Sequence, residues 1–295
     1  MKKLLCKLPP LQWGSLLAAL IASTTQTLAM LLEFEAESNY FTRGATLPHL
    51  AILFSLLSLG LGIAAAFLAA KKKKLSVDFS TSLRKLHLFP AVGFFCALVG
   101  LGWELFTKAG VLWMHRNDGA SFFKEFLAGE TKIALLCLPL LFCALGYCWN
   151  WAFPTSKNQT ETVILGFAAA IACAILGIHL YFDFSVEMNS PVKSLLQAAF
   201  LCSMIFFTTE LRLLLKKPLP KLLWIISSLV IAVASLCAVA IPVAFLTGKL
   251  PQRRLDFFFY GLFAFCMIPA ALEHIFSLSA HDSNDPDQTE RTETP

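Results

Sequence analysis

The sequence predicts an all-α integral membrane protein, a compact bundle of about eight transmembrane helices with both termini in the cytoplasm. Three observations predict it. Of 295 residues, 57% are hydrophobic and only 15% charged, whereas a soluble domain carries about 25% charged residues; mean hydropathy is +0.68. Apolar runs of roughly 20 residues recur along the chain, each long enough to cross a hydrocarbon core of about 30 Å. The basic residues stand between these runs and form no stripe, so the net charge of +5 reads as topology and implies no nucleic-acid partner.

The predicted spans are 11–32, 48–70, 86–107, 131–152, 162–182, 191–215, 221–246 and 255–278. Residues 1–278 thus form the bundle, and the acidic, aperiodic 279–295 reads as a disordered cytoplasmic tail. With the N-terminus inside, fifteen of the 24 Lys and Arg residues are cytoplasmic, the Lys71–Lys74 tract foremost among them. That excess favours the orientation, and Arg253–Arg254 is the main dissent.

The first run, "LQWGSLLAALIASTTQTLA", follows "MKKLLCK" and has the regions of a signal peptide. It also continues apolar through Leu32 and carries Gly14, Ala18 and Ala22 one turn apart, which suits a retained helix. Gln26 extends the stripe and is expected to hydrogen-bond a neighbouring helix. The same small-residue spacing recurs at Gly62, Ala66 and Ala70 and at Gly166, Ala170 and Ala174. Such faces are needed because lipid tails are as oily as leucine, so apolarity alone gives helices no reason to associate. The loop 108–130 contains "SFFKEFLAG", an amphipathic segment that reads as a helix on the outer membrane surface or as a lid. Eight of the nine cysteines lie in apolar runs and no pair has CxxC spacing, so they read as small packing residues. The acidic outer and basic inner loops of the two halves suggest a four-plus-four duplication.

Ionisable residues within the runs are the candidates for function. Glu210 lies about 9 Å deeper than Lys216 at ~1.5 Å per residue, and a lone carboxylate there requires a partner or a proton. Its candidate partners are Lys85, His87 and His274. Arg212, two positions on, points away from Glu210 and reaches headgroups instead. Glu273 falls one turn after Pro269, so Glu210, Glu273 and His274 form a candidate inner cluster, read either as a structural clasp between helices near the headgroups or as a site for protons or cations. At the outer face, "HLYFDFSVEMNSPVK" places His179 and Asp183 at i, i+4, followed by Glu187, Asn189 and Ser190, with Pro191 opening a helix. This is the candidate solute mouth, lined also by Glu33, Glu35, Glu37 and Tyr40. Glu104 with Lys108 reads as a simple surface pair.

The segment "YFDFSVEMNSPVKSLLQ", continuing to "TTELRLLL", resembles uncharacterised multispanning membrane proteins of clostridial, Gram-positive bacteria over about thirty residues. The resemblance implies a bacterial plasma membrane and joint use of Asp183, Asn189, Pro191, Glu210 and Arg212. It implies no activity.

No catalytic motif, phosphate-binding glycine loop or dinucleotide fingerprint is present, and no cofactor or metal is called for. The leading expectation is a non-enzymatic bundle that binds or passes a small solute or ion. The alternative is a structural or signalling protein with a membrane protein partner. A b-type haem protein, using two of His49, His87, His179 and His274, or a lipid-modifying enzyme is the third.

Overall fold

The computed structural model describes residues 9–72, 74–75, 87–115, 124, 131–153, 159–183, 190–215, 219–251, 254–278 and 280–281. Among them are eight helical spans long and apolar enough to cross a membrane. They are α1 (Pro10–Leu32), α2 (Leu47–Lys72), α3 (Leu88–His115), α4 (Thr131–Ala152), α5 (Gln159–Phe182), α6 (Pro191–Leu214), α7 (Pro220–Cys237) continued by α8 (Ala240–Leu246), and α9 (Leu255–Ser277). α1, α6 and α7 open on proline, whose missing N–H falls where a helix has no internal acceptor for it. Between α1 and α2, β1 (Phe34–Glu35) and β2 (Tyr40–Phe41) form a small antiparallel hairpin. The Glu33 carboxylate accepts hydrogen bonds from the Leu47 and Thr46 amides at 3.0 and 3.4 Å, capping α2.

Six spans form a ring. α7 packs on α9, α9 on α3, α3 on α4, α4 on α5, α5 on α6, and α6 returns to α7. The α1–α2 pair lies outside this ring against α7, which makes the seventh span the most buried. Small residues set these approaches. A Cβ added to Gly62 would stand 2.5 Å from Ser228 Oγ and 2.6 Å from Ser228 Cβ, so only glycine lets α2 lie this close to α7. Buried polar bonds then tie the three helices together. Ser15 Oγ donates to the Ser58 carbonyl at 2.8 Å, Ser55 Oγ to the Ala232 carbonyl at 2.9 Å, and Trp224 Nε1 to Gln12 Oε1 at 2.9 Å. Such bonds average about 0.6 kcal/mol each in a membrane bundle. The α1 glutamine that makes the inter-helix bond is therefore Gln12; Gln26 is buried but makes none among the described residues.

The inside of the ring is aromatic. From one end to the other, ring centroids run His87 to Tyr147 at 5.4 Å, Tyr147 to Phe94 at 5.9 Å, Phe94 to Phe263 at 5.6 Å, Phe263 to Phe200 at 4.9 Å and Phe200 to Tyr260 at 5.5 Å. These separations are those of rings in contact. All eight described cysteines are free.

Four features differ from the sequence expectations. α3 continues to His115, well past position 107, because Glu104–Lys108 and the apolar Val111–Met114 both suit a helix. The seventh span is two helices, since Pro242 has no N–H to return to the Ala238 carbonyl. The tail does not leave the bundle directly: β4 (Ala280–His281) pairs antiparallel with β3 (Lys74–Leu75). The packing repeats only in part between the halves: α1–α2 matches α5–α6 and α3–α4 matches α7–α9, but α3 lies along α9 while the corresponding α4 and α7 share no extensive face. The "SFFKEFLAG" segment lies outside the described residues apart from the exposed Lys124.

Candidate functional site

Ionisable side chains are buried at both ends of the ring. The end reached by Lys71 and Arg212 is here the lysine end, and the end carrying β1–β2 is the hairpin end.

At the lysine end three helices converge. Glu210 comes from the last turns of α6, His274 from those of α9, and His87 from the turn that opens α3; all three are buried. Glu210 Oε1 stands 3.6 Å from His274 Nε2. That is an ion-pair distance, too long for a strong hydrogen bond. Glu210 Oε2, His87 Nδ1 and His274 Nδ1 are buried with no hydrogen-bond partner among the described residues. The surroundings are aromatic: His274 meets the Phe206 ring edge-on at 4.8 Å, and His87 lies beside Tyr147. Phe206 precedes Glu210 by one turn, so the phenyl ring and the carboxylate share a face of α6. Burial pushes the His87 pKa below its ordinary 6.5, against the pull of Glu210, and His274 adds to the depression.

At the hairpin end the charges pair. Glu104 of α3 takes His179 Nε2 of α5 at 2.9 Å and Lys108 at 2.8 Å. Arg254, just before α9, bridges Asp183 at 2.7 Å and Asp256 at 2.9 Å and lies over the Phe257 ring at 3.9 Å. Lys193, almost fully buried on α6, donates to the Asp183 carbonyl at 2.6 Å. Three carboxylates thus meet two side-chain cations, Lys108 and Arg254, and an imidazole, while Lys193 lies against the Asp183 backbone carbonyl. Burial opposes the Arg254 charge, but Asp256 and Asp183 outweigh it and hold the guanidinium pKa above its ordinary value. α3 can approach α9 here because Gly100 has no side chain: a Cβ would lie 3.1 Å from the Asp256 carbonyl oxygen. Tyr260 ends the aromatic column within the field of Glu104, Asp256 and Asp183, with its hydroxyl unpartnered among the described residues.

Several candidate residues are therefore rearranged. Glu210 and His274 face each other, with His87 nearby; Lys85 lies outside the described residues. Glu273 is half-buried, and it is His274 beside it that turns to Glu210. Arg212 is exposed and belongs to the surface. His179 and Asp183, expected to serve each other, find partners on Glu104 and Arg254, because burial brings other helices closer than the next turn of their own. Glu104 is no surface residue but the buried junction of α3 and α5. Glu187 and Asn189 lie outside the described residues. Ser190 precedes Pro191 as expected, yet its hydroxyl donates to the Asn39 carbonyl of the hairpin at 3.5 Å. Glu33 is occupied as the α2 cap. Sequence reasoning missed Lys193, Arg254 and Asp256 as a network. The signal available was an ionisable group within or at the edge of an apolar run. Among the described residues no three His, Cys, Asp or Glu side chains are grouped to hold a metal ion.

Comparison with family models, with curated proteins and with solved structures gives no match for this chain.

Proposed function

We propose that this chain is a multi-pass protein of a bacterial plasma membrane that binds and passes a small solute or ion, with Glu210, His274 and His87 as its working site. The observation that carries this reading is the unmet demand at the lysine end: three buried titratable side chains, from three helices, have polar atoms without partners among the described residues. A buried polar group left unpartnered costs about 1–3 kcal/mol, and intramembrane ionisable groups mark ion pathways more often than chance. The hairpin end, with its ion pairs, serves as the clasp that holds α3, α5, α6 and α9 together. Both termini are cytoplasmic in this reading. Arg254 and Lys193, which weaken the charge bias, have a separate reason for their place in the buried pairs they make.

Reconstituted into proteoliposomes, Glu210→Gln should lose ion or solute flux while keeping the parent's elution profile and melting temperature. Retained flux with a lowered melting temperature would make Glu210 a structural clasp and overturn the proposal. A second reading, a non-transporting structural or signalling partner, is favoured by the charge balance at the hairpin end, which is what a static clasp requires.

A further inference from the structure

We infer that the ligand of the lysine-end site is a proton, held between Glu210 and His274, and not a metal ion, an alkali cation or an organic ammonium ion. This rests on the reading of that end as a binding site and goes further by naming what it takes.

The first reason is space. An ammonium ion held by aromatic faces sits within about 6 Å of each ring centroid, so two rings flanking it stand roughly 8–10 Å apart. Here the rings touch one another. Phe206 lies 4.8 Å from His274 and 5.5 Å from Phe207, Phe207 lies 5.9 Å from Tyr147, and Tyr147 lies 5.4 Å from His87. A proton alone needs no room among them.

The second reason is donor chemistry. A desolvated alkali or alkaline-earth ion calls for about six oxygens, and the described groups facing Glu210 are two imidazoles and the Tyr147 ring. Among the described residues the titratable groups whose field reaches the carboxylate are His87 before α3, Tyr147 on α4 and His274 on α9, with half-buried Glu273 beside His274; α5 and α7, which also pack on α6, contribute none. None of the three that face it is a permanent cation. Among the described residues no permanent cation balances Glu210, so the group that can offset its charge there is a proton.

The third reason is the separation itself. At 3.6 Å the carboxylate and imidazole are in each other's field but not locked in a bond, so no strong hydrogen bond has to break for a proton to enter or leave. Uptake transfers one proton from hydronium to the pair and releases one water; discharge reverses it. Glu210 lies two residues from exposed Arg212, about 3 Å along the helix axis, which places the exchange close to the bundle's surface.

Infrared difference spectroscopy of the full chain in lipid, stepped in pH, tests this. A protonated-carboxyl carbonyl band should appear on acidification, vanish in Glu210→Gln and move its midpoint by ~1–3 pH units in His274→Gln. Sodium, potassium or tetramethylammonium should leave that midpoint in place. A midpoint that moves with tenfold changes in one of these cations, or a band that survives Glu210→Gln unchanged, overturns the inference. If Glu210→Gln does not fold, the side-chain carboxyl isotope shift of glutamate-labelled parent protein together with the His274→Gln midpoint decides the matter. The band titrating without any flux leaves the proton site standing and refutes the passage reading. Flux without the band does the reverse.

Discussion

The approach of α2 to α7 at Gly62 can be tested by a single methyl group. In Gly62→Ala the new Cβ would lie 2.5 Å from Ser228 Oγ and 2.6 Å from Ser228 Cβ. Carbon contacts are optimal at about 3.5–4.0 Å, so roughly 1 Å of separation is missing. Rotating the hydroxyl away does not relieve it, because Ser228 Cβ is fixed to the α7 backbone. The helices must part, and the Ser55–Ala232 bond between them stretches. Overpacking of this kind costs about 1–3 kcal/mol, read as a lower melting temperature in detergent by fluorescence-detected size exclusion. A double-mutant cycle separates this contact from general intolerance of the site. Ser228→Gly should restore most of the loss in the Gly62→Ala background, whereas Ser228→Ala, which keeps the Cβ, should not. A Gly62→Ala protein as stable as the parent, or equal rescue by both serine variants, would refute the claim that α2 and α7 meet here.

Further outcomes follow from the ionisable ends. Arg254→Leu removes the guanidinium shared by buried Asp183 and Asp256 and should lower stability by ~3–5 kcal/mol; adding Asp183→Asn and Asp256→Asn should recover much of it in the same thermal assay. His87 has its folded pKa depressed by burial, so its contribution is complete above the unfolded value of about 6.5 and is lost as pH falls below it. His87→Asn should accordingly flatten the loss of thermal stability between about pH 7 and pH 5, and an unchanged slope would show that His87 is not buried neutral. The pairing of Lys74–Leu75 with Ala280–His281 places Leu75 opposite Ala280. Cysteines at these two positions in a cysteine-free background should cross-link on mild oxidation, and Leu75→Cys with a cysteine placed beyond the pairing should not.

Part of the site is legible from the chain because charge is scarce there. Glu210 sits in a long apolar run, few groups share its depth, and the carboxylate must meet one of them; His274 and His87 were among the candidates. The other pairings are not legible in this way. The i, i+4 rule joins His179 to Asp183 because it sees one helix at a time, whereas in the bundle Glu104 of α3 and Arg254 before α9 lie closer to them. Arg254 reads as a loop charge because nothing local shows that two carboxylates, one far back in the sequence, surround it. Lys193 reads as an ordinary first-turn lysine until the Asp183 carbonyl is seen at its tip.

The amino-acid chain alone is enough to read a set of helices long and apolar enough to cross a membrane, and faces small enough to pack. Both follow from properties counted along the chain: the length of apolar runs, and the spacing of glycine, alanine and serine. It took the packed bundle to show that six spans close into a ring around a column of touching aromatic rings, which charges pair at its hairpin end, and which polar atoms at its lysine end lack partners among the described residues. Those depend on distances between residues far apart in sequence. Between helices such distances are set by the whole set of side chains that must be buried together.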